Sequence, residues 1–433
     1  MKNNHLTPSR RSWVQSLTQM PLILILLASI LIGCRPPNED RAGHSSDFTF
    51  PPEWEPHDAM WIDWTDFALD TRLEMVEALH RNVNVNLLTF SDSMEAVAWR
   101  MMKERNIDTS RVDIFIHLIP NYFIRDAGPK YLTDGTSYML ADFAWNCFGG
   151  AQFDSLCLRR GEVDNDLARE FGYELRTSDI RVEGGALEVS TNEIIAFKEM
   201  ALHRNPGRSI EEIEGAYLDM YGKKKMIWID KKLLLEEPGH KTDNYFGQGA
   251  NGHIDDYMRF VNDTTILVGV ITEEDRHANP INRIDYERLH HNLRQVRAAT
   301  NYEGKPFEII EVPMPDVTPY ASKRALTKAY KEKYPELYAN LNAGDTIVNI
   351  PIMSYLNFTI SNGVVLIHRY WQDGIPATEK AKDEKFFALM TRLFPDRRIV
   401  QINPLALNWN GGGIHCATQQ VPELAGATKA ISK

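Results

Sequence analysis

The stretch that decides the fold is Gly411-Gly412-Gly413-Ile414-His415-Cys416-Ala417-Thr418-Gln419-Gln420, near the end of a chain of 433 residues. Its glycines permit positive φ angles and a close approach of a ligand to the backbone, so such corners commonly line sites. Cys416 stands alone in this corner. An unpaired thiol is a candidate reactive group, and a buried inert cysteine is the alternative that the sequence leaves open.

Three other short segments place polar residues beside glycines where a strand should end. They are Ile124-Arg125-Asp126-Ala127-Gly128-Pro129, Glu183-Gly184-Gly185 and Gly252-His253-Ile254-Asp255. Each segment is weak evidence alone. Arg-Asp pairs are usually salt bridges, Gly-Gly is usually a turn, and His-x-Asp is often a structural hydrogen bond.

Taken together and in this order, the segments are specific to one protein family. The sequence closely resembles the agmatine deiminase and bacterial-type peptidylarginine deiminase family, within the guanidine-modifying pentein superfamily. The resemblance runs from Pro52-Glu53-Trp54-Glu55-Pro56-His57 to Gln419-Gln420-Val421-Pro422, and it includes His203-Arg204-Asn205-Pro206 and Ser354-Tyr355-Leu356-Asn357-Phe358. It implies an α/β fold of five modules around a pseudo-fivefold axis, an α/β propeller with the active site in its central channel.

The resemblance also implies a hydrolase acting on linear amidines, with Cys416 as the nucleophile. The Cys416 thiolate would attack the guanidinium carbon and form an amidino-thioether. His253 would protonate the departing ammonia and then activate a water that releases a ureido product. Glu183 resembles the residue that orients this histidine.

A guanidinium is a planar cation whose N–H groups match carboxylates. By resemblance, Asp126 and Asp255 would clamp it. Asn357 is a further polar contact near the thiol, and Trp145 is an aromatic that could cover the aliphatic part of the substrate. Neither a metal nor an organic cofactor is expected.

Two alternatives concern the same residues. His415 could serve as the base, but adjacent strand residues point to opposite faces, which favours His253. His253, Asp255 and Cys416 could also be drawn as a metal site. A carboxylate is a hard ligand beside a soft thiolate, and no second cysteine or histidine has the required spacing.

The substrate expected from the sequence is agmatine, converted to N-carbamoylputrescine, or a related small guanidino compound. The alternative is an arginine peptide, with protein citrullination as the reaction. The segment 141–150 contains no arginine, whereas peptidylarginine members of the family are thought to use paired arginines there. An amidinotransferase and a non-catalytic guanidino-binding lipoprotein also stay open.

The first residues are typical of a bacterial lipoprotein. Lys2, Arg10 and Arg11 precede a short apolar run that ends at Leu31-Ile32-Gly33-Cys34, so 1–33 is predicted to be a signal peptide and Cys34 to carry lipid. Residues 34–50 would be a flexible tether, 51–423 the catalytic domain and 424–433 a tail. The sequence therefore predicts an exported protein, periplasmic or cell-surface, that a lipid anchors to the membrane.

The net charge and the cysteines bear on the partners of the protein and on disulfide formation. The formal net charge is −11, which argues against nucleic acid as a partner. The oligomeric state cannot be read from the sequence. Besides Cys34 and Cys416 there are Cys147 and Cys157, which could pair with each other, although the sequence does not show that they do.

Short apolar runs alternate with amphipathic stretches, which is typical of an α/β fold. Strands are predicted over 59–64, 83–90, 112–119, 194–197, 226–229, 264–270, 307–312, 346–350, 364–367 and 398–402. Helices are predicted over 71–80, 92–105, 164–171, 209–220, 285–300 and 379–394, with a capping box at Ser209 and Glu212. Segments 236–251 and 320–342 are predicted to be surface excursions.

Overall fold

A computed structural model describes residues 47–118, 123–149 and 155–425. The predicted signal peptide, Cys34, nearly all of the tether and all but the first two residues of the predicted tail lie outside these ranges. The predictions for those segments, and the domain boundaries, stay predictions. Among the described helices, none combines the length and the apolar character needed to cross a bilayer.

The described ranges contain twenty strands and eleven α-helices. The strands are β1 His57–Trp64, β2 Asn84–Thr89, β3 Val112–Ile116, β4 Lys130–Thr133, β5 Tyr138–Ala144, β6 Glu174–Arg181, β7 Glu188–Val189, β8 Glu193–Phe197, β9 Lys225–Ile229, β10 Gly239–Thr242, β11 Tyr245–Gly247, β12 Met258–Asn262, β13 Thr265–Val270, β14 Glu308–Pro313, β15 Ser322–Ala325, β16 Thr346–Ile350, β17 Thr359–Ser361, β18 Val364–His368, β19 Arg398–Ile402 and β20 Thr418–Pro422. The helices are α1 Leu69–Leu79, α2 Asp92–Glu104, α3 Ile124–Ala127, α4 Ser155–Arg160, α5 Val163–Phe171, α6 Lys198–Arg204, α7 Ile210–Tyr221, α8 Pro280–Ala298, α9 Lys328–Lys333, α10 Ala377–Leu393 and α11 Leu405–Asn408.

One strand arrangement recurs in five sheets of the described chain. A first strand pairs antiparallel with a second, and a helical connection then leads to a third strand parallel to the second. The five sets are β4-β5-β6, β7-β8-β9, β12-β13-β14, β17-β18-β19 and β20-β1-β2, the last extended by β3. The fold is therefore mixed α/β, as the sequence predicts.

In four of the five sets the second strand is largely buried because it is covered on both faces, and β5, which is half-buried, is the exception. Every residue of β8 and β13 is buried. Phe197, Tyr257 and Phe260 join these strands in one apolar cluster. Buried central strands are also the ones that the sequence pattern identified most readily.

Helix ends follow their sequence signals. The Ser209 hydroxyl accepts the N–H of Glu212, and the Glu212 carboxylate accepts the N–H of Ser209, so the predicted capping box is present before α7. The helix predicted over 285–300 begins earlier. Asn279 caps it and Pro280 occupies its first position, where the missing N–H costs nothing.

The prediction of a surface excursion over 236–251 is wrong in its main feature. β10 and β11 pair there and join β16 and β15 in a sixth sheet of the described residues. Glu236 is completely buried, and its carboxylate accepts the N–H groups of Ala250 and Gly252. The segment 320–342 fits its prediction better, because β15 is exposed throughout.

Candidate active site

The residues predicted for the site lie on equivalent corners of the five sheets. Each corner comes directly before the first strand of its set. Asp126 precedes β4, Glu183 precedes β7, His253 and Asp255 precede β12, Asn357 precedes β17 and Cys416 precedes β20. The repeated topology therefore brings together side chains that are far apart in sequence.

Cys416 is a buried thiol beside polar groups. Its Sγ accepts a hydrogen bond from Nδ2 of Asn357 at 3.2 Å and lies 3.9 Å from Oδ2 of Asp255. Oδ1 of Asn357 accepts the backbone N–H of Cys416 at 3.3 Å. Burial and the nearby carboxylates of Asp255, Asp256 and Asp126 raise the pKa of the thiol well above its usual value. These surroundings therefore favour the protonated thiol at neutral pH.

His253 lies between two carboxylates. Its Nδ1 is 3.6 Å from Oδ1 of Asp126 and its Nε2 is 3.6 Å from Oε2 of Glu183. Burial disfavours the imidazolium, but the charges of Asp126, Glu183 and Asp255 outweigh this effect and raise the pKa of His253 to about 9. At neutral pH the ring is a cation with a proton to give.

Glu183 is held by an arginine to which the sequence assigned no role. Nε of Arg204 lies 2.8 Å and 3.1 Å from the two carboxylate oxygens, and Nη2 donates to the carbonyl oxygen of Ala250 at 2.9 Å. Burial would raise the pKa of Glu183, but Arg204 and His253 lower it to about 2. Glu183 is therefore a fixed anion behind the histidine.

Asp126 and Asp255 both lie next to Gly185. A Cβ added at Gly185 would lie 2.7 Å from Nδ1 of His253, 3.0 Å from Oδ2 of Asp255 and 3.1 Å from Oδ1 of Asp126. The Gly185 N–H also donates to Oδ1 of Asp126 at 3.1 Å. A side chain at this position would therefore collide with all three groups.

The two aspartates differ electrostatically. Burial raises the pKa of Asp126 to about 6, with the carboxylates of Asp255 and Glu183 adding to the rise and His253 opposing it. Burial also acts on Asp255, but the hydrogen bond and charge of His415 outweigh it and leave the pKa of Asp255 lowered. Oδ1 of Asp255 has no hydrogen-bond partner among the described residues.

His415 is not placed to deprotonate Cys416. Its Nδ1 lies 2.6 Å from Oδ2 of Asp255 and its Nε2 lies 2.7 Å from Oε2 of Glu53. Both ring nitrogens are thus engaged by carboxylates, and Glu53 received no role from the sequence. Within the described residues, no group of three or more His, Cys, Asp or Glu side chains could hold a metal ion.

An aromatic pair borders the site on the segment after β5. The ring of Phe148 lies 5.8 Å from the ring of His253, and Trp145 packs edge-on against Phe148 at 5.1 Å. Nε1 of Trp145 donates to the carbonyl oxygen of Cys157 at 2.8 Å. Phe148, to which the sequence assigned no role, therefore makes the ring contact with His253, and the predicted contact of Trp145 with the substrate stays a prediction. Cys147 and Cys157 form a disulfide.

An oriented cysteine, a cationic histidine and two facing carboxylates define a hydrolase that acts on guanidino groups. The chain belongs to the Porphyromonas-type peptidyl-arginine deiminase family, whose model matches residues 49–422. The predicted family and the predicted enzyme class are confirmed. Neither the amidinotransferase nor the non-catalytic alternative is favoured by this assignment.

Relatives match the chain nearly from end to end. A protein of Streptomyces coelicolor described as an agmatine deiminase is 26% identical over 388 residues, which cover 87% of this chain and 99% of the relative. The solved structure of the agmatine deiminase of Enterococcus faecalis is 21% identical, covers 87% of this chain and 96% of its own, and has a TM-score of 0.67. The substrate-bound agmatine deiminase of C. jejuni is 17% identical over 87% of this chain and 96% of its own, with a TM-score of 0.63. At these identities, the two structures support the fold alone.

Proposed function

We propose that the protein hydrolyses agmatine to N-carbamoylputrescine and ammonia through a covalent intermediate on Cys416. The observation that carries the reaction is the convergence of Cys416, His253, Asp126 and Asp255 around the open space at Gly185. Agmatine is preferred to an arginine peptide for two reasons. Relatives such as that of Streptomyces coelicolor are described as agmatine deiminases, and the described part of 141–150 contains no arginine to bind a peptide carboxylate.

The guanidinium would lie between Asp126 and Asp255. The free Oδ1 of Asp255 accepts one N–H group, and Asp126 accepts from the opposite side. Hydrogen bonds to charged groups contribute roughly 1.5–3 kcal/mol each, so the two carboxylates fix the reacting carbon in place. The entering cation also offsets the carboxylates that keep the thiol protonated. Cys416 then loses its proton to water and becomes the nucleophile.

In the first half of the reaction the sulfur bonds to the guanidinium carbon. The bond from that carbon to a terminal nitrogen breaks, and the electron pair leaves with the nitrogen. His253 supplies the proton, so ammonia departs and an amidino-thioether remains. Asn357 holds the sulfur in place through its Nδ2 amide.

In the second half His253, now neutral, accepts a proton from water. The hydroxide bonds to the carbon, and the carbon–sulfur bond breaks with its electron pair on sulfur, which returns the thiolate; the added hydroxyl group loses its proton to solvent and becomes the carbonyl of the released ureido product. Glu183 keeps the ring of His253 oriented through both halves. The predicted contact of Trp145 with the aliphatic stem would be shared with Phe148, which lies between Trp145 and His253.

The test is incubation of the purified protein with agmatine, free arginine and an arginine peptide, with ammonia and ureido product measured for each. Agmatine is expected to give equal amounts of ammonia and ureido product without an added amine acceptor. The Cys416→Ser protein is the control and is expected to be inactive. Turnover of the peptide alone would refute the agmatine assignment, and a requirement for an amine acceptor would indicate an amidinotransferase.

We propose further that the five sheets surround a pseudo-fivefold axis, as in an α/β propeller. Their common strand order and the equivalent position of their site corners support this arrangement.

We also propose that the protein is exported and held to the membrane by lipid on Cys34. The Cys147–Cys157 disulfide supports this, because structural disulfides persist in oxidising compartments. Labelling of expressing cells with radioactive palmitate tests the anchor. The wild-type protein is expected to be labelled and a Cys34→Ala protein is not, and an unlabelled wild-type protein would refute it.

A further inference from the structure

His415 joins two buried carboxylates, although its neighbour Cys416 is the residue that reacts. Its Nδ1 lies 2.6 Å from Oδ2 of Asp255, and its Nε2 lies 2.7 Å from Oε2 of Glu53. Both ring nitrogens of His415 are therefore engaged by carboxylate oxygens.

Glu53 is itself fixed on its far side. Its Oε2 lies 2.9 Å from Nη2 of Arg259, and its Oε1 accepts the N–H of Ile360 at 2.6 Å. Nε of Arg259 lies 2.9 Å from Glu188. A continuous series of buried polar contacts thus runs from the active site into the core, in the order Asp255, His415, Glu53, Arg259 and Glu188. Buried charges persist in this way because each one has a partner.

The two oxygens of the Asp255 carboxylate therefore differ in their hydrogen-bond partners. His415 occupies Oδ2, and Oδ1 is left without a partner among the described residues. Asp126 has no comparable partner: its nearest cation is His253, at 3.6 Å. Of the two carboxylates next to Gly185, only Asp255 is held by a side chain within hydrogen-bond distance among the described residues.

We propose that His415, held by Glu53, is a positioning residue that aims the free oxygen of Asp255 at the guanidinium and keeps this carboxylate ionised in the buried site. The inference rests on the proposed deimination at the same site. The lowered pKa of Asp255 agrees with it, in contrast to the raised pKa of Asp126. The titratable and charged groups that interact electrostatically with Asp255 are His415, His253, Arg259, Arg125, His368, Tyr257, Cys416, Asp126 and Asp256.

The experiment measures agmatine binding by calorimetry in a Cys416→Ser parent, which prevents turnover. His415→Ala removes both hydrogen bonds and is expected to weaken binding about 10- to 100-fold, the contribution of a hydrogen bond to a charged group. His415→Asn keeps an amide donor near Nδ1 and is expected to recover most of the loss. Glu53→Gln preserves volume while removing the charge behind His415, and an intermediate loss is expected.

The pH dependence of agmatine binding distinguishes a positioning role of His415 from a general disruption of the fold. Without His415, Asp255 is expected to protonate at higher pH, so binding should fall at a higher pH in His415→Ala than in the parent. In the enzyme that retains Cys416, the same substitution should raise KM by a larger factor than it lowers kcat. His80→Ala is the matched control, because His80 is a buried histidine that bonds only the carbonyl oxygen of Val76 in the described structure, at 3.1 Å.

Equal agmatine affinity in the parent and in His415→Ala would refute the inference and leave the reaction standing. The inference would also fail if His415→Asn bound no better than His415→Ala, or if His80→Ala lost as much affinity. A parent that binds agmatine while the enzyme with Cys416 shows no turnover would refute the proposed reaction and leave the comparison of His415 variants intact. A parent that binds no guanidino cation would refute both.

Discussion

Sγ of Cys416 lies 3.9 Å from Oδ2 of Asp255, so the nucleophile rests against a group that disfavours its reactive form. Burial and this carboxylate hold the pKa of the thiol well above its usual value. A cation that enters the site has the opposite effect, because it stabilises the thiolate. The site should therefore select for positively charged reagents even before chemistry begins.

We expect chloroacetamidine to label Cys416 at least about tenfold faster than chloroacetamide at pH 7, after correction for their rates with a free thiol; a tenfold factor corresponds to one pKa unit. The two reagents have nearly the same size, and only the first is a cation. Mass spectrometry of the peptide that contains Cys416 measures the rates.

Asp255→Asn should reverse the preference. Loss of the carboxylate lowers the pKa of the thiol, so the neutral reagent should react faster than in the wild-type protein and the cation more slowly. A wild-type protein that prefers chloroacetamide would contradict the role given to Asp255. The Cys416→Ser protein is the control, because any label that it takes up has reacted at another residue.

The protonation of His253 should determine how the rate of the reaction depends on pH. Its pKa is about 9, and the protonated ring is the acid that the departing ammonia needs. We therefore expect kcat, which reports the substrate complex in which Cys416 is already a thiolate, to fall as pH rises through about 9. Because the Glu183 carboxylate helps to raise this pKa, Glu183→Gln should move the alkaline limb to lower pH. An alkaline limb that stays in place in Glu183→Gln would count against the assignment.

Protonated His253 should also stabilise the fold. A pKa raised from 6.5 to about 9 gives a contribution that is complete below pH 6.5 and is lost as pH rises through 9. Urea unfolding of the wild type and of His253→Asn between pH 6 and 10 measures it, and the variant should show less decline. Equal declines in the two proteins would show that other groups cause the loss of stability.

The sequence identified the reacting residues because their corners carry glycines beside polar side chains. Cys416, His253 and Asp126 all stand in such segments, and the structure brings them together. Short first strands such as β7 and β17 were missed, because two or three residues are too few for a periodic pattern. Strands that are buried on both faces, such as β13, were predicted well.

The residues that hold the reacting side chains in place could not be predicted in the same way. Glu53 lies 362 positions from His415 in the chain, so their contact depends on the packing of the first sheet against the last corner. Arg204 stood in a motif of the resemblance, but its contact with Glu183 requires knowing that α6 packs behind that corner. Glu236 was assigned to the surface because its neighbours include many glycines. In the structure it is completely buried.

Gly185→Ala should lower activity sharply. The new Cβ would lie 2.7 Å from Nδ1 of His253 and 3.0 Å from Asp255, in the space proposed for the guanidinium. Displacements of about 1 Å in an active site cost on the order of 100-fold in rate, and we expect kcat/KM to fall by at least about that factor. Steady-state kinetics with agmatine measures it.

Gly215→Ala is the matched control, because a Cβ at this position in α7 meets no atom within 4 Å. It should leave kcat/KM unchanged and stabilise the helix by roughly 0.5–1 kcal/mol. An active Gly185→Ala protein would show that the substrate does not occupy the space beside Gly185.

The Cys147–Cys157 disulfide should matter to substrate binding as well as to stability. Cys147 and Phe148 both have left-handed backbone angles, with φ of 55° and 60°, which cost about 1–2 kcal/mol per residue outside glycine. The disulfide, together with the hydrogen bond from Asn251 to the Phe148 carbonyl oxygen at 3.2 Å, holds this segment against His253. Replacing both cysteines with alanine should lower the free energy of unfolding by about 2–4 kcal/mol. It should also raise KM for agmatine more than it lowers kcat, because Phe148 loses its fixed position near the substrate.

A mild reductant provides the control for this prediction. It should reproduce the rise in KM in the wild-type protein, and it should have no further effect on the double variant, because the reactive thiol of Cys416 is unpaired in the described structure. Unfolding in urea and steady-state kinetics give the two measurements. A double variant that is less stable but has the KM of the wild type would restrict the disulfide to a structural role and remove Phe148 from the substrate site.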